Sequence, residues 1–193
     1  REAYLAMVRE AFRQEDHVWY VAARFAWATL ARVSELHYLR WRDIDFERKL
    51  VTIRRPKSGG PTEKILFENL LEDLAWLRDH HRAVLGTTEW KDPDVAVAAR
   101  PEDPVFRRED LQKAGFRAWF TRHLRKHAKA SGYRGHVHPH LVRASAATDL
   151  SERGVPWRDI MLQGGWRSMA ALRRYLREDP EARRERIRGG SDL

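Results

Sequence analysis

Cysteine is absent from all 193 residues, which excludes disulfides and thiolate metal sites and fits a cytosolic or nuclear setting. No apolar run is long enough to cross a bilayer, and nothing resembles a signal peptide. Methionine is scarce, at three, and none opens the chain. The first residues, "REAYLAMVREAF", already carry a helical pattern, so the expectation is a fragment of a longer protein. Lysine is scarce too, with seven against thirty arginines. Acidic residues fall short of basic ones, 28 against 37, which leaves a formal charge of +9. Arginine's planar fork grips phosphate in two places, so an arginine-dominated surface suits nucleic acid. A GC-rich genome raises arginine equally well, and composition alone goes no further.

What is present reads as a mainly helical domain with one small sheet. Apolar spacing predicts helices over 2–14 and 18–30, the second apolar nearly all round and therefore buried. Ser34 is expected to cap a short helix in "ELHYLR". "DIDF", "LVTIRR" and "EKILF" are then separated by turn-like "ERK" and "PKSGGPT", which predicts three antiparallel strands. A helix is expected over 68–85, a proline-containing loop over 86–108, and a helix over 109–131. The polar face of that last helix is basic: Arg117, Arg122, Arg125, Lys126 and Lys129. Further helices are expected from Pro139 to a stop at Gly154, over 156–163, and over about 169–177.

Several side chains are candidates for chemistry, and each has an ordinary explanation beside it. Tyr175 shares a helical face with Met169, Leu172 and Leu176, so by itself it reads as packing; Tyr4, Tyr20, Tyr38 and Tyr133 compete for any nucleophilic role. His140 and Arg143, three apart at a helix start, can reach one anion together. Arg32 has Glu35 three residues on to orient it. Lys57 sits in a glycine-rich hairpin turn, free to swing toward a ligand. Two patterns suggest metal instead. "HVHPH" alternates His136, His138 and His140, although Pro139 and the helix after it argue against a strand there. "DIDFE" alternates Asp43, Asp45 and Glu47, which would suit Mg²⁺ or merely line an edge strand.

The order of these residues is more informative than any one of them. "LARVSELHYLRWRDIDF", "RPKSGG" with "TEKILF", "HPHLVRASAATDL" and "IMLQGGWRSMAALRRYLRE" resemble, in sequence along almost the whole chain, the motifs of the tyrosine recombinases. Trp166, where many members carry a second histidine, makes the resemblance Cre-like. The resemblance implies a DNA breaking-rejoining catalytic domain over 1–193. Tyr175 would be the nucleophile that attacks a DNA phosphodiester and leaves a 3′-phosphotyrosyl link. Arg32 and Arg143 would clamp the non-bridging oxygens, and Lys57 would protonate the leaving 5′ oxygen. His140 would serve as acid/base or donor, Trp166 would donate its indole N–H, and Glu35 would orient the site from behind. Lys64 is a second hairpin lysine, less well placed than Lys57.

His138 stands where members often carry a Ser or Thr helix cap, so a different cap is expected there. Arg54, Arg55, Arg122, Arg125, Lys126 and Arg167 are candidate DNA contacts. No cofactor, ATP or metal is implied. The implied partner is double-stranded DNA, engaged by four protomers on two sites, with a monomer in its absence and no membrane association. The setting implied is the cytoplasm at the nucleoid, in a prokaryote, phage or mobile element. An amino-terminal DNA-clamp domain is absent from these residues. The tail, 176–193, would dock in a neighbour through a helix near 180–188. Other readings are a type IB topoisomerase-like DNA relaxase, a non-catalytic DNA-binding relative, or a metal-dependent nuclease.

Overall fold

The computed structural model describes residues 1–54, 60–81, 85, 98–107, 111–176 and 184. Its centre is the helix whose sequence is apolar all round. Helix α2 (His17–Thr29) buries Val18, Trp19, Val21, Ala22, Ala23, Phe25 and Ala26. It contacts α1 (Glu2–Arg13), α4 (Glu68–Asp79) and α6 (Pro139–Glu152). These neighbours cover most of its circumference and leave only His17, Tyr20, Arg24, Trp27 and Ala28 half-buried. Each fully buried Phe or Leu in this core adds about 1.5–3 kcal/mol of transfer free energy. Two polar atoms among these aromatics are satisfied locally: Trp19 Nε1 donates to the Phe120 carbonyl (3.2 Å) and Tyr4 Oη to that of Ala23 (2.9 Å).

Helix α5 (Lys113–Ala130) lies against α1, burying Phe116, Phe120, Leu124 and His127. It starts at Lys113; the expected start at 109 falls outside the described residues. The sheet has the expected order, with β1 (Ile44–Asp45), β2 (Leu50–Ile53) and β3 (Thr62–Ile65) all antiparallel. The "DIDF" strand is shorter than expected because Trp41–Asp43 form a 3₁₀ turn. In β2 the alternation holds, with Val51 and Ile53 inward. In β3 the inward residue is Lys64, paired in register with Val51.

Three other expectations change. The short helix α3 (Val33–Leu36) is capped not by Ser34 but from Arg32, whose backbone N–H donates to the Glu35 carboxylate at 2.9 Å. Helix α4 breaks at His80 rather than running unbroken to 85. The last helix, α8 (Met169–Arg173), ends two residues before Tyr175, having been capped at its start by the Ser168 hydroxyl. Between α6 and α8 lies α7 (Trp157–Gly164). No helix among the described residues is long and apolar enough to cross a membrane.

Candidate active site

The site grows from the carboxyl end of α2. The last carbonyls of a helix have no partner within it and carry the negative end of its dipole, so they draw donors and cations. Three distant segments supply them. Gln163 Nε2 donates to the Ala28 carbonyl (2.9 Å), Lys64 Nζ to that of Thr29 (2.8 Å), and Arg143 Nη1 to that of Leu30. Leu30 itself turns the chain in the left-handed conformation, φ 53°. Gln163 also bonds both the N–H and the C=O of Ile65, closing the outer edge of β3 (3.0 and 2.9 Å).

Arg143 is the hub. Its side chain is only 1% exposed, and Nη2 donates to the Gly164 carbonyl at 2.9 Å. The guanidinium lies 3.9 Å from the centre of the Trp166 ring and 5.3 Å from that of Tyr175. The two rings meet edge to face at 5.1 Å. Leu172 is fully buried, with Met169 and Leu176 packed partly around it, so the apolar stripe anchors the segment that carries Tyr175. "GGW" is explained by this packing. A Cβ on Gly164 would come within 1.8 Å of the indole, and Gly165 ends α7 in the left-handed region at φ 66°. The Trp166 Nε1 is buried without a hydrogen-bond partner among the described residues.

Beside the hub, Arg32, His140, Arg143 and Arg117 border one small cavity of about 70 Å³. Glu35, 6% exposed, holds Arg32 through Nη1 at 3.0 Å as well as through its backbone. His138 caps α6 with its own ring, Nδ1 accepting from the Leu141 N–H at 3.2 Å, so the expected different cap is a histidine. His140 reaches solvent, yet partial burial first, and then the charges of Arg117, His138, Arg32 and Arg143, hold its imidazole below the usual range. It is therefore neutral at pH 7. Larger than the cavity is an adjoining groove of about 920 Å³, bordered by Lys113, Arg117, Arg122, Arg125 and His138.

The remaining expected residues divide clearly. Lys57 and Arg55 lie outside the described residues. Arg54 is paired with Asp43 (2.7 Å), while Lys126 and Arg167 are exposed. Asp43 also accepts from the Arg40 N–H, and Asp45 from that of Arg48, so "DIDFE" makes turns rather than a metal cradle. Among the described residues the one grouping of three side chains spaced to hold a metal is Asp16, His123 and His127, which includes neither "DIDFE" nor "HVHPH". Of the competing tyrosines, Tyr4 is buried and committed to a carbonyl, and burial pushes its hydroxyl up, away from ionisation.

The sequence profile of the phage integrase family matches residues 4–182, most of this helical chain with its small sheet. The chain belongs to that family. It is 31% identical over 146 residues to tyrosine recombinase XerA of Thermococcus onnurineus (strain NA1), a match spanning 76% of this chain and 46% of the relative. Tyrosine recombinase XerC of Chlamydia trachomatis serovar L2 is 26% identical over 144 residues, 75% of this chain and 41% of the relative. The chain thus spans less than half the length of these curated relatives.

Three solved structures of integrases and recombinases share the fold. The crystal structure of XerA recombinase superposes with a TM-score of 0.77 at 22% identity, covering 100% of this chain and 63% of that one. A Tn1549 transposon integrase in complex with a circular intermediate DNA gives 0.63 at 17% identity, covering 97% and 62%. A lambda integrase tetramer bound to a Holliday junction gives 0.61 at 19%, covering 93% and 49%.

Sequence reasoning on this integrase-family chain missed two things. Arg117 is on the cavity, although its spacing marks it only as one member of a basic face. Lys64 is buried against Thr29, and its inward place in the strand alternation was the available signal.

Proposed function

We propose that this chain is the catalytic part of a site-specific DNA recombinase that cuts and rejoins DNA through a 3′-phosphotyrosyl intermediate, without metal or ATP. The observation that carries the reading is the stacking of Trp166 and Tyr175 on Arg143, with Arg32 and His140 on the cavity beside it. Two guanidiniums suit the non-bridging oxygens of a phosphodiester, where charge concentrates in the transition state.

Tyr175 Oη attacks phosphorus, the bond to the 5′ oxygen breaks, and a phosphotyrosyl diester forms. The tyrosyl proton is lost, with neutral His140 as its acceptor, and Lys57 gives a proton to the departing 5′ oxygen. The covalent link conserves the bond energy, so attack by a new 5′-hydroxyl reverses the step with no nucleotide cofactor. Trp166 adds a donor that exchanges no protons; its buried N–H finds an acceptor in a phosphate oxygen, relieving an unmade hydrogen bond that costs about 1–3 kcal/mol. Lys64 is engaged with Thr29, which favours Lys57 as the acid. Trp166 also supports the Cre-like variant of the site.

Double-stranded DNA is the substrate of this reading, with the groove along α5 receiving its backbone through Arg122 and Arg125, and Lys126, Arg167, Arg54 and Arg55 as further contacts. The Tn1549 integrase on circular intermediate DNA and the lambda integrase tetramer on a Holliday junction support DNA as partner and a tetramer as the working assembly. The single catalytic domain, the tail docking in trans and the nucleoid setting are part of the same proposal.

Incubating the full-length protein with nicked suicide DNA in EDTA should trap a covalent adduct that disappears in Tyr175→Phe. No adduct with wild type, or one that survives the substitution, would overturn the nucleophile. A substrate with a 5′-bridging sulfur needs no acid, so it should rescue Lys57→Ala; rescue of Lys64→Ala instead would reassign the acid.

A further inference from the structure

Arg117 is the one cavity-lining cation that the family's motifs do not account for. It projects from α5, borders the 70 Å³ cavity together with Arg32, His140 and Arg143, and also borders the 920 Å³ groove with Arg122 and Arg125. No other arginine among the described residues lines both. It is exposed, and no carboxylate pairs with it among the described residues, whereas Arg24, Arg32 and Arg54 all have acidic partners. An arginine held for packing or for a surface ion pair would be covered or matched; among the described residues this one is neither.

Its chemistry is that of an anion receptor at a junction. Lys113, Arg117, Thr121 and Arg125 recur every four residues, so they form one stripe along the helix. Four residues advance the stripe about 6 Å. A polyanion lying on it runs past Arg125 and reaches Arg117 at the mouth of the cavity. Inside, Arg32 and Arg143 already supply two guanidiniums for one phosphate.

Resting on the recombinase reading above, we propose that Arg117 binds the backbone phosphate adjoining the scissile one, and so sets which phosphate enters the cavity. A guanidinium on that neighbouring phosphate fixes the register of the strand, much as phosphate contacts elsewhere position a protein on DNA without reading its bases. It also has an electrostatic consequence. The groups facing His140 are Arg32, Arg117, His138 and Arg143, and Arg117 is the foremost charge among those that keep this imidazole neutral.

The test is cleavage of suicide DNA in which single phosphates on either side of the cut are replaced by neutral methylphosphonates, using the full-length protein and its Arg117→Ala variant. On all-phosphate DNA the variant should cleave about tenfold more slowly at subsaturating DNA, the loss of one charge-assisted contact. Its binding should fall less steeply with salt, the log–log slope dropping by about 1. Neutralising one adjoining phosphate should bring wild type down to the variant's rate and cost the variant nothing more. The limb of the pH–rate profile governed by His140 should move to higher pH in the variant. Arg117→Lys, which keeps a point charge, should recover part of the rate.

Two results overturn the inference while leaving the recombinase reading intact: equal cleavage by variant and wild type, or a variant penalty that persists on every neutralised substrate. Absence of any adduct with wild type overturns the recombinase reading, and this inference with it.

Discussion

Gly164 has two tasks that no other residue can combine. Its carbonyl fixes Arg143 through Nη2, and its bare Cα lets the Trp166 ring lie where a methyl group would sit. Gly164→Ala must push the indole aside and loosen its stack on Arg143, so covalent cleavage should drop by more than tenfold. Gly165→Ala puts a side chain into a left-handed turn, and should lower stability by about 1 kcal/mol with a smaller effect on the chemistry. Adduct yield and urea midpoints measured on both variants check this; equal cleavage losses would remove the special place of Gly164. Both glycines and the tryptophan stand out in the sequence. Which glycine serves the ring and which serves the turn is decided only in the fold, because it depends on where the indole folds back.

At the scale of elements, the carboxyl end of α2 ties the sheet, α6 and α7 to one point. Lys64 is the sheet's contribution, and burying an ammonium is costly unless it is well bonded. Lys64→Ala leaves the Thr29 carbonyl without that donor and opens space beside Val51. It should cost about 2–3 kcal/mol in urea unfolding, whereas the exposed Arg117→Ala should cost nearly nothing. The strand alternation in "TEKILF" is legible in the sequence. That its inward member is a lysine has no local explanation, since the reason lies thirty-five residues earlier, at Thr29.

A second tie, also invisible to periodicity, joins α5 to the turn before α2. The Asp16 carboxylate receives His123 Nδ1 at 2.5 Å and His127 Nε2 at 2.7 Å. Burial alone would raise this carboxyl, but the two imidazole hydrogen bonds outweigh it and hold it well below the carboxylate range. A carboxyl lowered on folding contributes stability that is fully present above its unfolded value, near 4, and is lost as pH falls below it. Asp16→Asn should therefore destabilise at pH 7 by about 1–3 kcal/mol, with the difference from wild type shrinking below pH 4. A difference that does not change between pH 7 and 3 would remove the charge from the explanation.

At the scale of the molecule, the order of short motifs and the hydrophobic periods already determine much. They give a helical domain with a three-stranded sheet and a buried second helix, and the resemblance of the motifs to the tyrosine recombinases implies Arg32, His140, Arg143, Trp166 and Tyr175 as one site. The physical reason is that these signals are local: a 3.6-residue or two-residue period, a cap, a glycine pair, a histidine three residues from an arginine. The tertiary structure decided what local signals cannot carry. It made Arg143 the hub by bringing the Leu30 and Gly164 carbonyls to its two ends, 113 and 21 residues away in the chain. It turned Lys64 inward, let His138 cap its own helix, and brought Arg117 from an ordinary basic face to the edge of the cavity beside Arg32 and His140. Each of these joins groups far apart in sequence through a carbonyl, a charge or a shared surface, and such pairings exist only once the chain has closed around α2.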